Sequence, residues 1–199
     1  MTGSEPEINC GCRTEKGVHA YGQVINVRID NDDTSPKELK NYLSRYLPRD
    51  IGVISVDRAD DRFHAQLNLR SVVYMYRLDV GKNPDVFMRR YAYHTFDMPD
   101  LDAMRKAASY FIGKHDFRAF MSPGSSIKTT VRTISELYIE QKGDRVKIFI
   151  TADGFLYNMV RIIVGTLIKV GNKKLKPEDM ESIIAEGSRK RAGMCVPPN

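Results

Sequence analysis

Residues 8–24 read INCGCRTEKGVHAYGQV, and they crowd small residues, a cation, a hydroxyl and a carboxylate between two apolar runs. Three glycines in this stretch permit left-handed backbone or the close approach of another group: Gly11, Gly17 and Gly22. The pattern predicts a tight loop that presents Arg13, Thr14 and Glu15 ahead of a strand over residues 23–29. On these residues alone two interpretations stay open. The loop binds a ligand, or Arg13 and Glu15 only pair with each other at the surface.

Composition bounds the class of protein. The chain has 199 residues, of which 42% are hydrophobic and 28% charged, and such values are typical of a globular protein with a real core. It carries 31 Lys and Arg against 25 Asp and Glu, which gives a net charge of +6 and a pI near 9.2. This balance permits a polyanionic partner without requiring one.

The cysteines and histidines bear on compartment and metal binding. Three cysteines form an odd set that is typical of a reducing compartment: Cys10, Cys12 and Cys195. Four scattered histidines have no metal-ligand spacing: His19, His64, His94 and His115. Residues 1–7 lack the pattern of a signal peptide, and no apolar run reaches the roughly 20 residues of a membrane span. We therefore expect a cytoplasmic protein without a metal or a membrane segment.

Local patterns predict the first elements. Residues 23–29 alternate between apolar and polar side chains, as in a strand with one buried face. Residues 31–34 break the alternation. A helix is then expected from Pro36 to about Tyr46, because Ser35 and Glu38 form a capping-box pattern at its start.

Further elements follow in mixed order. The patterns predict strands over 51–56 and over 63–79 (one or two strands around Ser71), a segment of uncertain type over 89–96, an Asp100-capped helix over 101–112 that stops at Gly113, a hairpin of 131–140 and 144–152 about Lys142 and Gly143, and helices over 155–170 and 177–185. Residues 121–130 suit a lid, an RNA-contacting flap or a plain surface loop. The order predicts an α+β fold of two small mixed lobes, 1–80 and 81–199, whose antiparallel sheets meet.

Two later segments carry residues that need an explanation. Tyr74 and Tyr76 alternate in a predicted strand, so their rings either stack on a ligand or pack in the core. Arg161 interrupts an otherwise apolar helix, and burying it without a partner would cost several kcal/mol. Arg161 therefore either meets a carboxylate, holds a loop carbonyl or extends its head group to solvent.

Together these segments resemble the TruA family of tRNA pseudouridine synthases. The segment CRTEKGVHA at residues 12–20 is similar to the family's active-site motif GRTDxGVHA, in which the Asp is catalytic. GFLYNMVRIIVGTL at residues 154–167 resembles the family's FLxxMVRxIVGT helix. Weaker matches lie at 63–65 (FHA), 71–76 (SVVYMY), 113–120 (GKHDFRAF) and 131–134 (VRTI).

The resemblance implies a fold, a reaction and roles for particular residues. It implies a pseudouridine synthase-like fold with a central cleft and the isomerisation of uridine to pseudouridine in tRNA, in the anticodon stem-loop, by a homodimer that needs no cofactor or metal. The implied catalytic residues are Glu15, Tyr74 and Arg161, with Arg161 paired to the carboxylate. The implied substrate-binding residues are Arg13, Thr14, His19 and Phe155. His115 and Asp116 are expected to be supporting or structural residues rather than a catalytic pair.

The sequence departs from the family pattern at several places. Glu15 stands where the family has Asp, and an added methylene moves a carboxylate by about 1 Å, which can lower a rate on the order of a hundredfold. Val72 and Val73 replace basic residues. The chain also lacks the family's first strand and helix and its final strand. We therefore keep an alternative, a catalytically impaired paralogue that binds RNA or a partner synthase, and a third possibility, a purely structural product of truncation.

Overall fold

A computed structural model describes residues 6–29, 34–124 and 127–198 of the chain. The chain forms two compact units, one of Met1–Arg13 with Ala20–Leu69 and the other of Thr14–His19 with Arg70–Asn199. Three sequence-based predictions fall partly outside the described residues: the strand break at 31–34, the polar N-terminus at 1–7 and the loop at 121–130.

The first unit contains a small antiparallel sheet and one helix. Strand β1 (Ile8–Cys10) pairs with β2 (Ile25–Val27), which is shorter than the predicted strand over 23–29. Helix α1 (Pro36–Tyr46) has the predicted bounds, and its capping box is present. The Ser35 side chain accepts from the Glu38 amide, and the Glu38 carboxylate accepts from the Ser35 amide at 2.9 Å. Local chemistry at the helix start was therefore sufficient to place α1.

The strand prediction over 51–56 is wrong, and the one over 63–79 is confirmed only in its second part, where Val72–Val80 form a strand. Residues 51–56 form no strand, and Ile51 and Ile54 are 53% and 70% exposed. Residues 65–68 form a turn, in which the His64 ring nitrogen accepts from the backbone amides of Gln66 and Leu67. β-Branched and aromatic side chains favour a strand only where a neighbouring strand covers one face, and neither segment has such a partner among the described residues.

The second unit is built on a five-stranded mixed sheet. Its strands are β3 (Val72–Val80), β4 (Tyr93–Thr95), β5 (Gly113–Asp116), β6 (Val131–Lys142) and β7 (Arg145–Ala152), in the order β4-β3-β7-β6-β5. Only the β3–β4 pair is parallel. The predicted β6–β7 hairpin is confirmed, and Gly143 turns it with a left-handed φ of 58°. The α+β class is thereby confirmed.

Three helices of the second unit pack with this sheet. They are α2 (Leu101–Ser109), α3 (Met159–Gly171) and α4 (Asp179–Glu186). The side chain of Asp100 caps α2 as predicted, although α2 ends at Ser109 instead of continuing to residue 112. Helix α3 begins at Met159 rather than at Phe155, because Asn158 has a left-handed backbone and stops the helix from extending further.

Helix α3 lies at the centre of the buried core. Ile162, Ile163 and Leu167 of α3 are fully buried, as are Ile148 and Ile150 of β7. A C-terminal segment, residues 192–198, crosses α3 so closely that a Cβ at Gly165 would lie 2.0 Å from the Met194 carbonyl oxygen. This close approach needs the two glycines at the crossing, Gly165 and Gly193.

The two expected lobes, 1–80 and 81–199, stay a prediction. Strand β3 at residues 72–80 belongs to the same sheet as β6 and β7. No helix within the described residues is long and apolar enough to cross a bilayer.

Candidate active site

Glu15 and Arg161 form an ion pair within the second unit. Arg161 Nη1 donates to Glu15 Oε2 at 2.7 Å, although the two residues are 146 positions apart. The Arg161 side chain is 22% exposed and that of Glu15 26% exposed. A pair removed this far from water is screened less than a surface pair. The predicted contact between the two residues is thus present, while their catalytic roles stay predictions.

Asn158 holds both members of this pair. Its backbone N–H donates to Glu15 Oε1 at 2.8 Å, so both oxygens of the carboxylate accept hydrogen bonds. Its side-chain Oδ1 accepts from Arg161 Nη1 at 2.7 Å. Its side-chain Nδ2 donates to Ser122 Oγ at 2.9 Å. The sequence interpretation missed Asn158, because the predicted helix over 155–170 placed this residue inside a helix, whereas the helix begins after it.

The C-terminal segment fixes the other side of the guanidinium. Arg161 Nε donates to the Val196 carbonyl oxygen at 2.7 Å. The next carbonyl, of Pro197, accepts from the Tyr76 hydroxyl at 2.8 Å. Burial raises the pKa of the Tyr76 hydroxyl well above its usual value, so this group stays protonated and acts as a donor. Arg161 therefore has its head group set by three partners rather than by Glu15 alone.

The loop that carries Glu15 is shaped by a turn and a glycine. The Val18 amide donates to the Glu15 carbonyl oxygen at 3.0 Å, and Gly17 has a left-handed φ of 88°. A Cβ at Gly17 would lie 2.9 Å from Pro198 Cγ, so the loop also contacts the C-terminal segment. The expectation for the three glycines holds at Gly17 and at Gly11, where a Cβ would come within 3.3 Å of a backbone oxygen. Gly22 has neither a positive φ nor a protein neighbour within 4 Å of such a Cβ, so the approach of another molecule to this residue stays a prediction.

The residues expected to bind substrate lie at different places. Thr14 is exposed and directly precedes Glu15. His19 is exposed, its Nε2 lies 3.1 Å from the Arg90 carbonyl oxygen, and its ring lies 4.7 Å from that of Tyr91. Arg13 is exposed and belongs to the first unit. Their roles in substrate binding stay predictions.

Tyr74 and Phe155 form an aromatic pair. Their ring centroids are 4.9 Å apart at an interplanar angle of 71°, which is an edge-to-face arrangement. Both side chains are only partly buried, whereas Tyr76 is 4% exposed and belongs to the core. Phe155 lies in the short segment that leads to Asn158. Tyr76 thus belongs to the core, and Tyr74 is partly buried and packs against the core, so the stacking of Tyr74 on a ligand stays a prediction.

His115 and Asp116 do not form a pair with each other. His115 Nε2 lies 3.0 Å from the Ile112 carbonyl oxygen. Asp116 accepts from Thr130 Oγ1 at 2.5 Å and from Arg118 Nε at 2.9 Å. Burial opposes ionisation of Asp116, but these hydrogen bonds outweigh it and hold the pKa of the carboxyl below its usual value. Both residues thus tie local backbone and side chains together, which fits the expected structural role.

The charge at the site comes from the carboxylate and the guanidinium. Burial raises the pKa of the nearby Cys195 thiol, so this group is neutral at physiological pH and adds no charge beside Glu15 and Arg161. None of the three cysteines is in a disulfide. Within the part of the chain that the structure describes, no three His, Cys, Asp or Glu side chains are grouped so that they could hold a metal ion. An oriented carboxylate of this kind can act as a nucleophile or as a general base.

Comparison with known proteins shows which family the chain belongs to. A family profile described as tRNA pseudouridine synthase matches residues 107–199. The tRNA pseudouridine synthase A of Clostridium botulinum strain Eklund 17B is 49% identical over 199 residues, which is 100% of this chain and 81% of that protein. A tRNA pseudouridine synthase A 2 of Clostridium perfringens is 44% identical over 198 residues, covering 100% of this chain and 81% of its own length. The tRNA pseudouridine synthase A of Acetivibrio thermocellus is 42% identical over 197 residues, which is 99% of this chain and 80% of that protein. Since these relatives match from end to end of the chain, it belongs to the family of tRNA pseudouridine synthases.

Proposed function

We propose that this chain isomerises uridine to pseudouridine in tRNA and that Glu15 is the residue that starts the reaction. The observation that carries the proposal is the ion pair of Glu15 with Arg161, in which hydrogen bonds hold both carboxylate oxygens. Family membership gives the reaction class, and the pair gives it a carboxylate with a defined orientation.

The reaction makes specific demands on the site. The glycosidic bond from N1 to the ribose breaks, the base turns, and C5 becomes bonded to the same ribose carbon; the C5 hydrogen leaves to water as a proton while N1 gains a proton. The carboxylate begins this sequence by attacking the sugar or the base or by removing a proton. Arg161 holds this carboxylate in a fixed orientation through the hydrogen bond to Oε2 at 2.7 Å.

The target base must leave the helical stack before it can react. In this proposal Tyr74, with Phe155 at its edge, supports the extruded base, a contact worth roughly 1–3 kcal/mol. Arg13, Thr14 and His19 contact the substrate, and the net charge of +6 favours binding to the phosphate backbone. We also propose that the uridine lies in the anticodon stem-loop and that the chain acts as a homodimer in the cytoplasm.

Tritium release tests the proposal directly. Transcribed tRNA labelled with tritium at uridine C5 is incubated with the purified chain, and the label that enters water is measured. We expect release by the wild-type chain, a strongly reduced but still measurable rate for Glu15→Gln, and an unchanged rate for the matched control Glu140→Gln, whose side chain is exposed on β6. Mapping of pseudouridine in the product then identifies the modified position.

One result would replace this proposal, and a second would then identify the defect. If the wild-type chain releases no label but binds tRNA in a salt-sensitive manner, the chain is a catalytically impaired RNA-binding paralogue. If Glu15→Asp then restores release, the reach of the carboxylate is the defect.

A further inference from the structure

Asn158 has more polar contacts around the Glu15–Arg161 pair than its place at a helix start requires. Its backbone N–H, its Oδ1 and its Nδ2 each bind a different residue, namely Glu15, Arg161 and Ser122, at 2.8, 2.7 and 2.9 Å. Its carbonyl oxygen accepts the first hydrogen bond of α3, from Ile162 at 3.0 Å. The helix needs only the last of these contacts.

The backbone of Asn158 is in a conformation that few residue types tolerate. Its φ is 61° and its ψ is 11°, and only Lys173 shares a positive φ among the described residues other than glycine. Among residues other than glycine, Asn and Asp adopt this left-handed conformation most readily. The conformation ends the helix at Met159 and directs the Asn158 N–H toward Glu15.

The orientation of the Asn158 amide is set by its neighbours. A guanidinium can only donate, so the atom that meets Arg161 Nη1 is Oδ1. Nδ2 must then face the Ser122 hydroxyl. The backbone N–H of Ser122 donates to the Tyr157 carbonyl oxygen at 3.1 Å. Loss of the Ser122 hydroxyl would remove one of the two side-chain contacts that hold the amide in place.

We infer that Asn158 is a positioning residue, which fixes the Arg161 guanidinium and the Glu15 carboxylate relative to each other, and that Ser122 holds the Asn158 amide in the required orientation. The expected effect on rate rests on the proposed function. The expected effect on the geometry of Arg161 does not.

Three substitutions separate the contributions. Asn158→Gly keeps a residue that adopts the left-handed backbone and keeps the N–H that faces Glu15, but it removes the side chain. Ser122→Ala removes the acceptor of Nδ2. Asn172→Gly is the matched control, because Asn172 is an exposed residue just after the other end of α3.

Single-turnover tritium release and tRNA affinity are the first pair of readouts. We expect Asn158→Gly to lower the single-turnover rate by about ten- to a hundredfold, because displacement of the catalytic groups by about 1 Å has an effect of that size. Ser122→Ala should lower it less, by a few-fold. The dissociation constant for tRNA should stay within about twofold of the wild type for Asn158→Gly and Ser122→Ala, because neither substitution removes a group assigned to substrate binding. The control Asn172→Gly should match the wild type in every readout.

Rotation of the Arg161 guanidinium is the second readout, and it does not depend on activity. In 15N-labelled protein the Arg161 Nη groups should give separate, slowly exchanging signals, because Nη1 and Nε are held by three acceptors. Asn158→Gly should accelerate the rotation and merge the Nη signals, whereas a residue that only begins a helix would leave them unchanged.

The outcomes are distinct. If the Arg161 signals in Asn158→Gly match those of the wild type, the inference is overturned, whatever the rate. If the wild-type chain releases no tritium but Asn158→Gly frees the guanidinium, the positioning role stands and the proposed function fails. Should Asn158→Gly not fold, Ser122→Ala carries the test, and unchanged Arg161 signals in that variant would reject the inference.

Discussion

Arg161 is the cation in the otherwise apolar first turns of α3, and its surroundings explain why the helix tolerates it. Glu15, Asn158 and the Val196 carbonyl oxygen are its three acceptors. A partly buried guanidinium with these partners has no unsatisfied charge, so its cost to the core is small.

At the residue scale, the sequence predicted the meeting of Glu15 and Arg161 through the family resemblance. It could not predict the role of Asn158, because this role depends on one left-handed backbone and on a contact with Ser122, which lies 36 positions away.

Arg161→Lys tests whether shape matters in addition to charge. Lysine keeps the positive charge but has one nitrogen, which cannot replace both Nε and Nη1. We expect the single-turnover rate to fall on the order of a hundredfold while tRNA affinity changes little. Arg145→Lys is the matched control, because Arg145 forms an exposed ion pair with Asp85. A wild-type rate in Arg161→Lys would mean that charge alone is sufficient.

At the element scale, the elements that depend on neighbouring residues were predicted correctly, and those that depend on distant contacts were not. The capping box placed α1, and the turn at Gly143 placed the β6–β7 hairpin, because both depend on neighbouring residues. The strand expected over 51–56 does not form, since strand propensity needs a partner strand to act on. The crossing of α3 by residues 192–198 had no local signature beyond two glycines, Gly165 and Gly193.

Gly165→Ala tests that crossing. Alanine in place of glycine in a helix interior would by itself stabilise the protein by about 1 kcal/mol. Here the new Cβ would lie 2.0 Å from the backbone oxygen of Met194, and overpacking of this kind costs about 1–3 kcal/mol or more. We therefore expect a net loss in the free energy of unfolding, measured in urea, and a lower rate because the Val196 carbonyl moves away from Arg161.

The control for this prediction is Gly154→Ala. A Cβ at Gly154 would be 3.6 Å from its nearest neighbour, which is an ordinary contact, so stability should change little. Equal or greater stability of Gly165→Ala would show that the C-terminal segment does not press on α3 as described.

At the scale of the whole molecule, composition predicted a basic globular protein, the order of the predicted elements gave the α+β class, and the family resemblance supplied the reaction class. The chain has 31 basic and 25 acidic residues, which is a modest excess of positive charge, so the net charge alone could not identify RNA as the partner. The bounds of the two compact units were not predictable from composition, because residues 14–19 belong with residues 70–199 although they lie within the first part of the chain. Such an exchange depends on long-range contacts that leave no trace in local pattern.

The salt dependence of tRNA binding tests the electrostatic part of the account. We expect the logarithm of the association constant to fall linearly with the logarithm of salt concentration, and Arg13→Gln to reduce the slope by about one unit, if Arg13 contacts a phosphate. Lys142→Gln, at the end of the β6–β7 hairpin, removes the same charge and should leave the slope unchanged. An identical slope for Arg13→Gln and the wild type would remove Arg13 from the RNA contacts.

The central claim is that Glu15 and Arg161 act as one catalytic unit. Single-turnover tritium release from labelled tRNA by the wild type, Glu15→Gln, Arg161→Gln and the double variant measures this coupling directly. Residues that act as a unit have strongly non-additive effects, so the double variant should be no slower than Glu15→Gln alone, within about threefold. Losses that multiply in the double variant would contradict the account, because the two groups would then act independently.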